Sequence, residues 1–193
     1  FSRQADMFRQ VRAQLMLNCL KKDQKILAVV SPSARDGRTY VAANLAIVFA
    51  QLGKKTLLLD CHLQRPRQQD LFRIDASPGI STLLSGRVEG GVKPTPIEDI
   101  ANLGVLPAGA NPPNPDELIA SEAYARLCRK VRLTYDIVIV DTPPGSSSKP
   151  SWSARVVVPC ARRKVSVTSE KASLPASSSS AQTKPGAVVR TVA

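Results

Sequence analysis

Four stretches of this chain are short, unbroken apolar runs, and between them apolar residues recur at helical spacing. The runs cover residues 25–31, 56–60, 103–106 and 135–140. Each is strand-length, and the polar residues (Lys25, Ser31, Thr56, Asp60, Asp136) fall near the ends rather than alternating along the run, which predicts strands buried on both faces. Over residues 6–20, Phe8, Val11, Leu15 and Cys19 fall on one helical face. Over 39–52, Val41, Leu45, Val48, Phe49 and Leu52 form a second stripe, with Gly53 placed to end that helix. A short helix is expected between Gly79 and Gly86. Another is expected from Pro115 or Asp116, capped by Asn114, carrying Leu118 and Ile119 and reaching Tyr124 and Leu127. Strands alternating with helices predict an α/β fold with a mostly parallel sheet covered on both faces.

Such sheets bind ligands outside the carboxyl ends of their strands. Three features fall there. The first strand runs into Ser31-Pro32-Ser33-Ala34-Arg35-Asp36-Gly37-Arg38-Thr39-Tyr40, a tight loop that opens a helix. That order makes a phosphate cradle, because backbone N–H groups and the helix dipole both favour an anion. The second and fourth strands each end in an acid, Asp60 and Asp141. Their convergence on one sheet edge weighs more than any one of them.

Composition refines this picture. The 193 residues suit one domain with a real core. The net charge is +12, and from Ser146 onward there are eight Lys or Arg against one Glu. A basic tail can meet nucleic acid or an anionic membrane. No aromatic residue follows Trp152 among these charges, so the tail reads as a solvated segment and no nucleic-acid partner is expected. Cys19, Cys61, Cys128 and Cys160 include no Cys-x-x-Cys pair, which suits reduced thiols of a cytosolic protein. No run reaches the ~18 apolar residues of a membrane span, and no signal peptide is legible. The chain begins at Phe1, as a piece of a longer product would.

The order of motifs resembles the bacterial tyrosine kinases of polysaccharide export, nearest their EpsG-type branch. These are deviant P-loop proteins related to the MinD and ParA ATPases. The resemblance spans residues 3 to about 148. Gly37-Arg38-Thr39 with Ala43-Asn44-Leu45-Ala46 matches the Walker A loop and its helix. Leu57-Leu58-Leu59-Asp60-Cys61-His62-Leu63-Gln64-Arg65-Pro66 resembles Walker A′, and Tyr135 to Pro144 resembles Walker B. Leu106-Pro107-Ala108-Gly109 and Asn114-Pro115-x-Glu117-Leu118 also fit. Asp6, Arg9 and Arg12 are similar to the helix with which those kinases bind a neighbouring subunit.

The resemblance implies a P-loop NTPase three-layer sandwich, and a kinase moving phosphate from ATP, with Mg²⁺, to a protein tyrosine. The nucleotide would lie on Asp36, Gly37, Arg38, Thr39 and Tyr40. The metal would be held by Thr39, Asp60 and Asp141. Catalysis would fall to Arg38, Asp60, His62 and Asp141. Two positions depart from the family: Arg38 replaces a Lys, keeping the charge on a larger planar fork, and His62 replaces a second acid. His62 either takes over that acid's work or is a partly exposed loop residue without a role. The implied partners are a membrane chain-length-determinant protein, further copies of this chain in a ring-like homo-oligomer, and a tyrosine substrate. The implied location is cytoplasmic, peripheral at the inner membrane. Residues 149–193 leave the family pattern and read as disordered or as a shifted reading frame, which would leave the sheet incomplete at its C-terminal side. Two other readings remain open: a non-catalytic nucleotide-binding regulator of export, and a MinD- or ParA-like ATPase.

Overall fold

The computed structural model describes residues 3–20, 24–31, 35–86, 91–144, 155–157, 164–169 and 187–191. Helix α1 (Arg3–Asn18) leads into strand β1 (Ile26–Val30) and helix α2 (Arg38–Gln51). Strand β2 (Thr56–Asp60) is followed by two single-turn helices, α3 (Gln68–Phe72) and α4 (Ile80–Leu84). Then come β3 (Thr95–Pro96), β4 (Leu103–Leu106), α5 (Pro115–Ala120), α6 (Glu122–Thr134) and β5 (Ile137–Asp141). The apolar runs form the predicted strands, and β4, β2, β5 and β1 lie side by side in that order, all parallel.

Strand side chains alternate between two cores. Leu27, Val29, Leu58, Val105 and Ile139 face α1 and α2, where Phe8, Val11, Leu15, Leu45 and Phe49 are buried. Leu57, Leu59, Leu106, Val138 and Val140 face the other way, under α4 and α6. Covering both faces is why the strands carry no polar alternation. The result is the expected three-layer α/β sandwich. Gly53 takes a left-handed φ of 81° just past α2, as its place in the sequence predicts.

Several expectations are corrected. Leu52 is 44% exposed, because it caps α2 rather than continuing its stripe. The helix expected from Pro115 through Leu127 is two helices. Ser121 breaks it in extended conformation, and its hydroxyl accepts the Tyr124 N–H at 3.2 Å, capping α6. Asn114 makes no side-chain cap, and instead donates to Glu117 at 2.8 Å. The antiparallel strand β3 and the helix α3 have no counterpart in the sequence reading.

Beyond Asp141, β6 (Arg155–Val157), β7 (Lys164–Ser169) and β8 (Ala187–Thr191) extend the sheet from β1, each antiparallel to its neighbour. The sequence reading expected no strand there. Val156 and Val157, Val165 and Val167, and Val188 and Val189 supply β-branched residues in three short stretches, and the edge of β1 offers unpaired backbone groups to meet them. Pro32 to Ala34 of the phosphate loop, Trp152 and Cys160 lie outside the described residues. Cys19, Cys61 and Cys128 are free thiols, the first two buried. No helix among the described residues is long and apolar enough to cross a membrane.

Gly79 shows how tightly this fold closes. A Cβ there would lie 2.3 Å from the Gly109 nitrogen and 2.4 Å from the Pro107 oxygen, both backbone atoms. Gly79→Ala is therefore expected to destabilise the domain by ~2 kcal/mol or more. Denaturant unfolding checks this; a loss below about 0.5 kcal/mol would contradict the close approach.

Candidate nucleotide and metal site

The site grows from parallel register. β2 and β5 are neighbours, and their final residues pair, so Asp60 stands beside Asp141. Both are fully buried. Two carboxylates brought together out of water resist ionisation. Burial, then the charge of Asp141, pushes the Asp60 carboxyl up to about 6, although three backbone N–H groups pull the other way. Those donors are His62 at 3.2 Å, Arg67 at 3.2 Å and Gln68 at 3.0 Å. The chain after β2 thus wraps the Asp60 side chain. Burial likewise raises Asp141, while the Thr39 and Gln68 side chains and the charge of Arg38 work against it.

On the β1 side, Gly37 takes a left-handed conformation, φ 81° and ψ 14°, and α2 starts there. The Val41 N–H bonds back to the Gly37 oxygen at 2.9 Å. Arg38 turns inward and is 5% exposed. Its Nε donates to the Thr142 oxygen at 3.0 Å, and its Nη1 donates to the Ser31 hydroxyl. The guanidinium therefore sits between the ends of β1 and β5. Burial lowers its proton affinity, and Asp141 and Asp36 restore part of it.

His62 is half-buried beside this cation. Burial first, then the charges of Arg38 and Arg65, hold its imidazole below the usual range, which favours the neutral form. Tyr40 goes elsewhere. Its ring meets Phe8 edge-on at 6.0 Å, and its hydroxyl donates to Gln4 at 3.3 Å. The Tyr40 side chain thus belongs to the α1–α2 contact rather than the cradle, leaving only its backbone on the loop. On α1, Arg9 pairs with Asp6 at 2.7 Å, while Arg12 reaches across to the Val48 oxygen at 2.6 Å. Of the three charges read as an intersubunit stripe, Arg12 is committed within the chain.

The sequence reading missed Gln68. It is fully buried at the start of α3. Its Nε2 donates to the Asp141 Oδ2 at 2.9 Å and to the Thr39 oxygen at 3.1 Å. Nothing in the polar stretch from Gln64 to Asp70 singles it out; only burial does.

These residues fit a cation bound with a nucleotide. The Asp141 Oδ1 and the Gln68 Oε1 are buried oxygens without a hydrogen-bond partner, an arrangement that costs stability unless a donor or cation arrives. Oxygen donors from Thr39, Asp60 and Asp141 are the kind Mg²⁺ takes.

Comparisons with known proteins agree with this fold. Residues 24–149 match a family model described as an AAA domain. The chain is 33% identical over 159 residues to the putative tyrosine-protein kinase CapB of Staphylococcus aureus, covering 81% of this chain and 68% of CapB. It superimposes on the kinase domain of Escherichia coli tyrosine kinase ETK with a TM-score of 0.69 and 31% identity, covering 72% of this chain and 55% of that one. The septum site-determining protein MinD of Pyrococcus horikoshii, complexed with Mg-ADP, shares the fold: TM-score 0.54, 22% identity, 63% of this chain and 49% of that one. Motifs, topology and similarity together establish that this chain belongs to the bacterial tyrosine-kinase family built on the MinD-like P-loop fold.

Proposed function

We propose that this chain is the nucleotide-binding catalytic domain of an ATP-dependent protein-tyrosine kinase serving exopolysaccharide chain-length control and export. The observation that carries this reading is the pair Asp60 and Asp141, set side by side at the sheet edge where Arg38 and Thr39 open α2. In this reading Asp36, Gly37, Arg38, Thr39 and the backbone of Tyr40 receive the phosphates. Thr39, Asp60 and Asp141 hold Mg²⁺, which when bound neutralises phosphate charge. Arg38 adds a fixed positive charge beside that position. Neutral His62 offers a nitrogen to a tyrosine proton where the family carries an acid.

The wider setting follows the family. A membrane chain-length-determinant protein is the expected partner, holding the kinase at the inner face of the membrane. Exposed Asp6 and half-buried Arg9, paired with each other, are the part of the stripe expected to meet a neighbouring copy. The second reading, a non-catalytic nucleotide-binding regulator, is favoured by the inward commitment of Arg38 to Ser31 and Thr142. Labelled-ATP transfer beside a binding measurement separates the two. Nucleotide binding without transfer to any tyrosine sinks the kinase reading.

The same assay has an expected location. The chain has three tyrosines. The Tyr124 hydroxyl accepts the Cys61 thiol at 3.8 Å under α6, and Tyr135 packs beneath Lys55 at 5.3 Å. Only Tyr40, at 46%, is among the exposed large side chains. Self-labelling is therefore expected at Tyr40, and Tyr40→Phe should lose it while still labelling an added tyrosine peptide. Phosphate mapped to Tyr124 or Tyr135 would refute the expectation.

A further inference from the structure

We propose that Gln68 is a positioning residue of the metal site, one that selects which oxygen of Asp141 faces the cation. The inference rests on the nucleotide–metal reading above. One buried side chain meets two of the three residues assigned to the metal: Nε2 donates to the Asp141 Oδ2 and to the Thr39 backbone oxygen. The backbone N–H of the same residue reaches the third, at the Asp60 Oδ2. Gln68 thus ties together the ends of β2 and β5 and the start of α2.

Its consequence lies in what stays unpaired. With Oδ2 of Asp141 occupied by the amide, Oδ1 is left buried and without a partner. The Thr39 side chain also bonds this carboxylate; with Oδ2 taken by the Gln68 amide, Oδ1 is the atom presented to an incoming cation. Gln68 also brings no charge of its own. A carboxylate in its place would add a third negative group to a pair that already resists ionisation. Groups that orient metal ligands through hydrogen bonds typically change metal affinity by ~10–100-fold when removed.

The side chain and the backbone of Gln68 do separate jobs, which makes the test clean. Gln68→Met keeps the main-chain bond to Asp60 and nearly the same volume, and deletes only the amide. The full chain is titrated with Mn²⁺ at saturating ADP, with bound metal counted by electron paramagnetic resonance. ADP affinity is measured separately in chelator. The expected result is a rise of ~10-fold or more in half-saturating Mn²⁺, with metal-free ADP affinity within about twofold of the parent. A purely structural role would weaken both together. If Gln68→Met does not fold, Gln68→Asn keeps a polar amide too short to reach Asp141 and should show the same split. Parent-like Mn²⁺ dependence in either folded variant overturns the proposal. Should the parent chain itself bind no Mn²⁺ with ADP, the metal-site reading falls, and this inference with it.

Discussion

Asp141→Asn is expected to make the metal-free protein more stable while cutting metal-dependent phosphotransfer at least ~100-fold. The two effects share one cause. Asp60 and Asp141 are buried side by side, and after burial itself the charge of Asp141 is what pushes the Asp60 carboxyl up. Asparagine removes one charge. Its carbonyl can still accept from the Gln68 Nε2. The cation, in contrast, loses an anionic ligand. The gain should be ~1–3 kcal/mol at neutral pH.

The pH dependence follows with a definite sign. Asp60 titrates near 6 in the folded chain, against about 4 when unfolded. Between those values the folded state binds more protons than the unfolded one. Stability therefore falls as pH rises through this window, by ~3 kcal/mol from Asp60 alone. This runs opposite to ordinary acid denaturation. Denaturant unfolding from pH 4 to 8 in chelator should show the decline in the parent and a flatter profile in Asp141→Asn. A variant that melts below the parent in chelator, or that still transfers phosphate at the parent rate, would contradict the account.

Arg38→Ala should be the other severe substitution. It strips a donor from the Thr142 oxygen and the Ser31 hydroxyl, and it removes the cation that favours the charged form of Asp141. A loss of ~1–3 kcal/mol in stability is expected, together with ~10–100-fold weaker nucleotide binding. Arg38→Lys is the informative control. An ammonium restores the charge but lacks the fork that spans β1 and β5. It should recover nucleotide affinity to within about tenfold while leaving part of the stability deficit. Calorimetric binding beside thermal unfolding reads both. If Arg38→Ala binds ADP as the parent does, Arg38 is an internal brace and not part of the cradle.

Most of the framework was legible along the chain. The apolar runs became β1, β2, β4 and β5 because helices cover both faces of the sheet, burying β2 and β5 at every position and leaving β1 and β4 at most half-exposed, so polar alternation has no place. Asp60 and Asp141 were readable as strand-end acids, and Gly37 and Arg38 as a loop opening a helix. Other features left weaker marks. Ser121 followed by Glu122 is an ordinary capping signal, yet the apolar residues on either side hid the break between α5 and α6. The three valine-bearing strands after Asp141 were masked by serine and charge. Strand pairing depends on a waiting edge, which composition does not display.

Sequence by itself therefore determined the fold class, the sheet-edge location of the candidate site and the residue types proposed to hold phosphate and metal. These follow from hydrophobic periodicity and local loop chemistry, which act over a few residues. Only the tertiary structure decided that Asp60 and Asp141 share one register, that Arg38 turns inward, that Tyr40 joins α1 and that Gln68 closes the site. Each depends on at least one contact across 29 or more residues, set by which strands lie side by side and what they exclude from water.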